Sequence, residues 1–425
     1  MLRNKLLRAV LINPSRLREW SYLLRILGVF ILLLLLSILQ GMDVKLGDFS
    51  VFWNAGDNFI HHRDLYRGIG GAGRFIYPPF AAMLFQLLAL FPFKVAAGLL
   101  TFLNYVLFLF SIYLTRSILE FYSNDKKKIA LVVGLAALLS FRFFWYHVTY
   151  IQLNELVFVL SLMGVLWMLK NKETPAVICF VTATFIKVIP LFFLIWLVFR
   201  GTFKTYLRVL IFTVLCLLVP LLWRGVEMGT HDLKDYYITF LEPFKEGRVE
   251  AVFHNHSLSS AIYNISLPMY DKLGLDFNLL HLTEAAARKV YFYSFFLLFG
   301  VFVFSLAILK IVKKPISSSE IAVVFLITHL LSGITWEYHL VSMLFVYSCL
   351  LLIPMEKKPT LFKVFHYLLI GLVVVNAIVG QDTVGPILYH YFGGYGAVTW
   401  MMVLLYFYFL YDRILNAASG KTGNR

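Results

Sequence analysis

Apolar residues gather into long runs along the chain rather than at the alternating spacing of strands. The runs fall at 25–40, 95–119, 129–147, 151–170, 175–200, 205–223, 289–309, 319–335, 338–354, 361–380 and 394–413. About 20 apolar residues in a helix cross a hydrocarbon core of about 30 Å. The first run follows a basic start (Arg3, Lys5, Arg8, Arg16, Arg18) with no small-residue cleavage site after it. That predicts a retained anchor with a cytoplasmic N-terminus. The 175–200 run has basic residues at both ends, Lys170 and Lys172 before it and Arg200, Lys204 and Arg208 after it. A single crossing would strand one of these clusters outside. Lys187 and Pro190 interrupt the run, and proline breaks a helix by removing a donor and clashing with the preceding turn. The pattern predicts two short helices that dip across and return, meeting near Lys187. The whole reads as an all-α polytopic membrane protein of about twelve transmembrane helices. It forms one integral membrane domain over residues 1–425, with both termini cytoplasmic.

Two outer segments are long, 41–94 and 224–288, and loops of that length are uncommon unless they carry function. In the first, Phe49, Val51, Phe52, Ala55, Phe59 and Ile60 recur at helical spacing between Asp48, Asn54, Asp57 and Asn58. Such a helix lies in the interface plane. After Gly68, Gly70, Gly71 and Gly73 comes Tyr77-Pro78-Pro79, then an apolar stretch from Phe80 to Pro92 too short to span. It predicts a second interfacial or re-entrant helix. No clear inverted repeat relates the two halves.

Composition agrees. Of the 425 residues 60% are hydrophobic and 14% charged, and mean hydropathy is +0.79, which excludes a water-soluble enzyme. Cys179, Cys216 and Cys349 lie in separate apolar runs and form no disulfide framework or thiolate metal cluster. The net charge of +15 follows from topology. On this plan 24 of the 38 Lys/Arg but only 7 of the 23 acids face the cytoplasm, leaving +17 there and −2 outside. That is the bias of the positive-inside rule, and it needs no nucleic acid as partner.

Polar chemistry collects on the outer side, where ten of the eleven histidines fall, His366 being the exception. Ionisable groups at membrane depth are expensive and mark sites. Asp43 and Asp48 follow the first helix, where an aspartate also serves as a helix cap. Lys187 sits at the break of the returning pair, where it either snorkels or holds a phosphate. Trp336, Glu337, Tyr338 and His339 close another helix; an aromatic belt accounts for Trp336 and Tyr338 but not for Glu337 and His339. Gln152, Asn154 and Glu155 open the helix after Trp145-Tyr146-His147, and helix-to-helix hydrogen bonding is their plainer use. His254-Asn255-His256 lacks a neighbouring carboxylate and is weak as a metal site. No P-loop, glycine fingerprint, HExxH or GxSxG is present. Outward acids and one cation in a lipid-exposed bundle point to a substrate that is itself a lipid with a phosphate.

In order along the chain stand Asp48, Asp64-Leu65-Tyr66, Tyr77-Pro78-Pro79-Phe80, Gln152-Leu153-Asn154, Lys187-Val188-Ile189-Pro190, Asn255-His256-Ser257-Leu258 and Ser332-Gly333-Ile334-Thr335-Trp336-Glu337-Tyr338-His339. This series resembles glycosyltransferase family 87, integral membrane enzymes of the C-type fold that include mannosyltransferases and arabinofuranosyltransferases. Ile151 stands where that family usually has glycine, His256 where it has glutamine, and Tyr338 where it has the first of two histidines; these departures bear on donor or acceptor preference. The resemblance implies transfer of a sugar from a polyprenyl-phosphate donor to a lipid or glycan acceptor on the outer face of the plasma membrane. Asp48 is then the general base. Lys187 and His339, with Arg74 or Arg142, meet the donor phosphate. Tyr77, Gln152, Asn154, Asn255, His256 and Trp336 line the sugar and acceptor pocket. No metal or other cofactor is required, because phosphate is already a fair leaving group. Two other readings remain: a surface-polysaccharide ligase or polymerase, and a transporter of lipid-linked sugars, which would favour inverted repeats and a midplane polar path.

Overall fold

The computed structural model describes residues 28–41, 47–66, 74–245, 250–268, 271–356 and 358–418. Asp43 and the glycines Gly68, Gly70, Gly71 and Gly73 lie outside the described residues. The regular elements of the described residues are helices, and an isolated β-bridge joins Asn255 to Trp336. In chain order the helices of nine or more residues are α1 (Gly28–Gly41), α2 (Asp48–Ile60), α3 (Pro79–Ala89), α4 (Phe93–Leu119), α5 (Lys126–Thr149) and α6 (Asn154–Leu169). There follow α7 (Glu173–Ile186), α8 (Leu191–Arg200), α9 (Phe203–Trp223), α10 (Val226–Tyr236) and α11 (Leu258–Ser266). The last are α12 (Glu284–Ile311), α13 (Ser318–Leu330), α14 (Met343–Leu352), α15 (Thr360–Ile378), α16 (Pro386–Gly394) and α17 (Ala397–Ala418). Among the described residues six, α4, α5, α9, α12, α15 and α17, are long and apolar enough to cross a membrane.

Burial differs sharply between helices. The short helices α13 and α14 form the centre, where Ser319 to Leu330 and Met343 to Leu350 are all buried. A helix apolar on every side belongs in a core. The long α9 and α12 are its opposite, buried over only 17% and 22% of their most apolar stretches, and they present Leu, Val and Phe outward as a lipid-facing helix does. Between α13 and α14 the chain leaves the regular helix for Leu331–Trp336 and a 3-10 turn, Glu337–Ser342. Irregular backbone at membrane depth is tolerated only where protein satisfies it. Here Thr335 N–H donates to Asn255 Oδ1 at 2.9 Å, His256 N–H donates to Thr335 O at 2.7 Å, and Thr335 Oγ1 donates to His329 O at 2.8 Å.

The 175–200 run is two helices, α7 and α8, with Lys187 in extended conformation between them (φ −152°, ψ 124°). The far ends of the pair meet: Thr202 and Arg208 donate to Glu173 Oε2 at 2.8 and 3.2 Å. The pair therefore rises and returns to one level, with Lys187 at its apex. At that same level Arg200 and Trp196 bind Glu320, Arg413 faces it, and Lys358 pairs with Asp412 at 2.6 Å.

The amphipathic helix expected after the first run is α2, and the non-spanning apolar stretch is α3. They approach so closely that a Cβ at Gly56 would run into the backbone of Phe85. Phe52 packs on Phe85 and Tyr77, with ring centroids 5.2 and 5.6 Å away. Arg224 ties α2 from outside: it pairs with buried Asp232 at 3.0 Å, donates to Arg63 O at 2.6 Å and lies over Phe59. Burial pushes the Asp232 carboxyl up to about 6 in spite of that guanidinium. Gly56→Ala is expected to force α2 and α3 apart and destabilise the protein by about 1–3 kcal/mol. Thermal unfolding in detergent reads this, and an unchanged midpoint would mean that the two backbones do not meet at Gly56.

Candidate active site

Asp48 is the first residue of α2, with Gly47 and not its own side chain at the cap position. The carboxylate sits in the first turn, where the helix dipole favours negative charge. Its Oδ2 accepts from Gln152 Nε2 at 2.6 Å and from the Tyr338 hydroxyl at 3.0 Å. Gln152 is buried, and its main-chain carbonyl accepts from Asn104 Nδ2 at 2.8 Å. The residue before it, Ile151, has φ +47°. A β-branched residue in the left-handed region is strained by about 1–2 kcal/mol. The turn aims the Gln152 amide at Asp48.

Lys187 is buried at the hairpin apex beside this carboxylate. Its Nζ donates to Asn154 Oδ1 at 2.7 Å, stands 2.8 Å from His339 Nε2, and lies over the rings of Tyr77 and Tyr338 at 5.6 and 6.0 Å. Trp336 N–H donates to His339 Nδ1 at 3.1 Å, which leaves Nε2 facing Lys187. Lys187 Nζ and His339 Nε2 are hydrogen-bonded to each other, while Asn154 Nδ2 is buried with no partner among the described residues. A cavity of about 30 Å³ adjoins them, lined by Asn154, Lys187, His329, His339 and Ser342 on its polar side. That is room for about two waters. Tyr77 is placed by the Tyr66 hydroxyl, which donates to its carbonyl at 2.8 Å.

The remaining sequence candidates do not join this cluster directly. Arg142 donates to the carbonyls of Asn376 and Val379 at 2.6 and 2.5 Å and forms an ion pair with Glu337, whose Oε1 also accepts from the Tyr389 hydroxyl at 2.7 Å. Its charge is spent on these carbonyls and on the carboxylate of Glu337, the residue before Tyr338. Arg74 is exposed, three residues before Tyr77. Asn255 spends its amide on the carbonyls of Glu250 and Gly333 and on the N–H groups of Ser257 and Thr335. His256 faces Glu337 at 3.9 Å. His254 stacks on Trp336 at 4.7 Å, and burial lowers its pKa to about 4, so the neutral ring does the stacking. The two histidines of His-x-His therefore point to different partners. Among the described residues one group, Asp64, His231 and Asp235, has metal-ligand spacing, with ligand atoms within 4.8 Å of one another. It lies at the Arg224 side of α2.

Sequence reasoning missed the support around these side chains: Tyr338 on Asp48, Asn104 behind Gln152, and Tyr389 on Glu337. Tyr338 stood out in the sequence only as a departure from a motif. Its partner lies 290 residues earlier, beyond the reach of any local pattern.

The sequence model of glycosyltransferase family 87 matches residues 75–333, more than half of the chain. The match takes in Tyr77, Gln152, Asn154, Lys187, Asn255 and His256, and stops short of Asp48 and of Trp336–His339. No curated protein matches the chain.

Proposed function

The chain belongs to glycosyltransferase family 87, and from that premise we propose that it moves a hexose or pentose from a polyprenyl-phosphate sugar to a hydroxyl of a lipid or glycan acceptor. It is a glycosyltransferase by family and a membrane protein by its apolar helices. The observation that carries the finer reading is a carboxylate and a buried lysine, with an unpartnered amide donor, sharing one recess. Lys187 Nζ and Asn154 Nδ2 converge beside His339 Nε2, and Asn154 Nδ2 has no acceptor among the described residues; a phosphate oxygen supplies one. Tyr338 bridges the halves, its hydroxyl on Asp48 and its ring over Lys187.

In the proposed reaction Asp48 takes the proton from the acceptor hydroxyl. The acceptor oxygen attacks the anomeric carbon from the face opposite the phosphate and inverts it. The bond from that carbon to the phosphate oxygen breaks, and its electron pair leaves with the polyprenyl phosphate. Lys187 and His339 meet the charge that develops there, which is where fixed donors lower a barrier most. Tyr77, Gln152 and Trp336 line the sugar. Arg142 serves at one remove, through Glu337, and exposed Arg74 is the cation that would guide an incoming phosphate. Asn255 and His256 shape the acceptor side by holding Thr335 and facing Glu337.

The proposed membrane plan counts twelve crossings, α1, α4 to α9, α12 to α15 and α17, in a C-type arrangement with α7 and α8 as the returning pair. The end bearing Arg200, Arg413 and Lys358 is cytoplasmic on the positive-inside rule. The Asp48 recess then opens on the outer face of the plasma membrane, with α2 and α3 in the interface.

The test supplies purified protein with radiolabelled polyprenyl-phosphate mannose, glucose and arabinofuranose in turn, and total lipid extract as acceptor. One donor is expected to be consumed, with label appearing in a product of opposite anomeric configuration. If folded protein consumes none of them, the reading fails and the ligase and transport readings move ahead.

A further inference from the structure

Two hydrogen bonds end on one oxygen of Asp48. Gln152 Nε2 and the Tyr338 hydroxyl both donate to Oδ2, at 2.6 and 3.0 Å. A carboxylate oxygen only accepts, so the direction of both bonds is fixed. Among the described residues no donor meets Oδ1. The phenol is held from several sides. Its ring centroid lies 5.5 Å from that of Tyr150 and 4.9 Å from that of His339, and Lys187 Nζ is 6.0 Å away. On its own turn the flanking residues are pinned, Glu337 by Arg142 and His339 by the N–H of Trp336.

Resting on the reading of Asp48 as the base, we infer that Tyr338 is a positioning residue for the transfer step: with Gln152 it occupies Oδ2 of Asp48 and reserves Oδ1 for the proton of the acceptor hydroxyl. The proton leaves the acceptor oxygen and ends on Oδ1, while Tyr338 and Gln152 keep their own hydrogens throughout. A donor that favours the charged form of a carboxylate also extends the range of pH over which it serves as a base. The other ionisable groups facing this pair are Tyr77 from the segment before α3, Tyr150 from the end of α5, Lys187 from the hairpin apex and His339 from the 3-10 turn. His147 on α5 and His329 on α13 stand behind Lys187.

The experiment measures kcat/KM against pH for the donor consumed in the panel above, with the full chain carrying tyrosine, Tyr338→Phe, Tyr338→His, or a ring-fluorinated tyrosine at 338. The phenylalanine variant keeps the ring contacts and loses only the donor. Its acid limb is expected to move up by about one pH unit, and its kcat at neutral pH to fall about 10-fold with KM for the donor unchanged. Histidine retains a donor and keeps the limb where tyrosine has it. The fluorinated ring is a stronger donor of unchanged shape, and moves the limb down even if the phenylalanine variant fails to fold. Superimposed acid limbs for tyrosine, phenylalanine and fluorotyrosine overturn the inference, as does an equal shift in phenylalanine and histidine. Those outcomes leave the base intact if Asp48→Asn is inactive. An Asp48→Asn protein as active as wild type removes the base itself, and the role of Tyr338 with it.

Discussion

Asp48→Asn is expected to slow turnover by about 10²–10⁴-fold, the usual contribution of a positioned general base, and to leave folding nearly untouched. Asparagine has the same shape, and its carbonyl oxygen still accepts from Gln152 and Tyr338, whose bonds to Asp48 measure 2.6 and 3.0 Å. What is lost is the ability to receive a proton. The charge at the first position of α2 also goes, and a carboxylate in a first helical turn contributes about 0.3–1 kcal/mol. Initial rates with the consumed donor, beside a thermal melt of each protein, separate the two effects. A variant with the wild-type rate would reduce Asp48 to a helix-terminal charge. A variant that has lost both activity and its melting transition would show that Asp48 holds the fold, and the base would have to be sought elsewhere.

The largest effect on stability is expected at the other end of the bundle. Glu320 is 3% exposed; its Oε1 accepts from Trp196 Nε1 at 2.8 Å and Arg200 Nε at 2.6 Å, and Arg413 reaches Oε2 at 3.5 Å. Removing the carboxylate leaves two buried guanidinium groups without their counter-ion. Breaking a buried pair from one side costs about 3–5 kcal/mol, because the charge left behind is uncompensated. Glu320→Ala should therefore lower the thermal midpoint steeply in detergent, while the fraction that remains folded keeps the wild-type kcat. An unchanged midpoint would mean that the cluster is hydrated and not buried. A folded variant with altered kcat would tie this end of the molecule to the chemistry.

Much of the frame was legible because membrane-spanning segments announce themselves by length and polarity. The 205–223 run is α9 at Phe203–Trp223, the 361–380 run is α15 at Thr360–Ile378, and the break at Lys187 and Pro190 is the turn between α7 and α8. The runs at 319–335 and 338–354 were less faithful. Their apolar character belongs to a protein core, so the regular helices stop at Leu330 and begin again at Met343, with satisfied loop between. Apolarity cannot tell a core-facing surface from a lipid-facing one. The helices Val226–Tyr236 and Pro386–Gly394 were not expected, since neither forms a long apolar run. Asp48, Gln152, Asn154 and Lys187 could be named from residue type and place. Their partners could not: Arg142 meets Glu337 across 195 positions and Asn376 across 234, and such pairings exist only once the bundle has closed.

The returning pair also fixes a depth. Its rising leg, α7, has 14 residues, so its apex stands at most about 21 Å above its feet at 1.5 Å per residue. A hydrocarbon core is about 30 Å thick. On the twelve-crossing plan Lys187 therefore waits about 9 Å or more beneath the outer headgroups. A lipid-linked phosphate has to sink out of interfacial water to reach it, and gives up hydration on the way. On the proposed polyprenyl-phosphate reading, capture of the donor is then a vertical displacement of a headgroup within the bilayer, with the lipid tail still in the membrane as tether and counterweight.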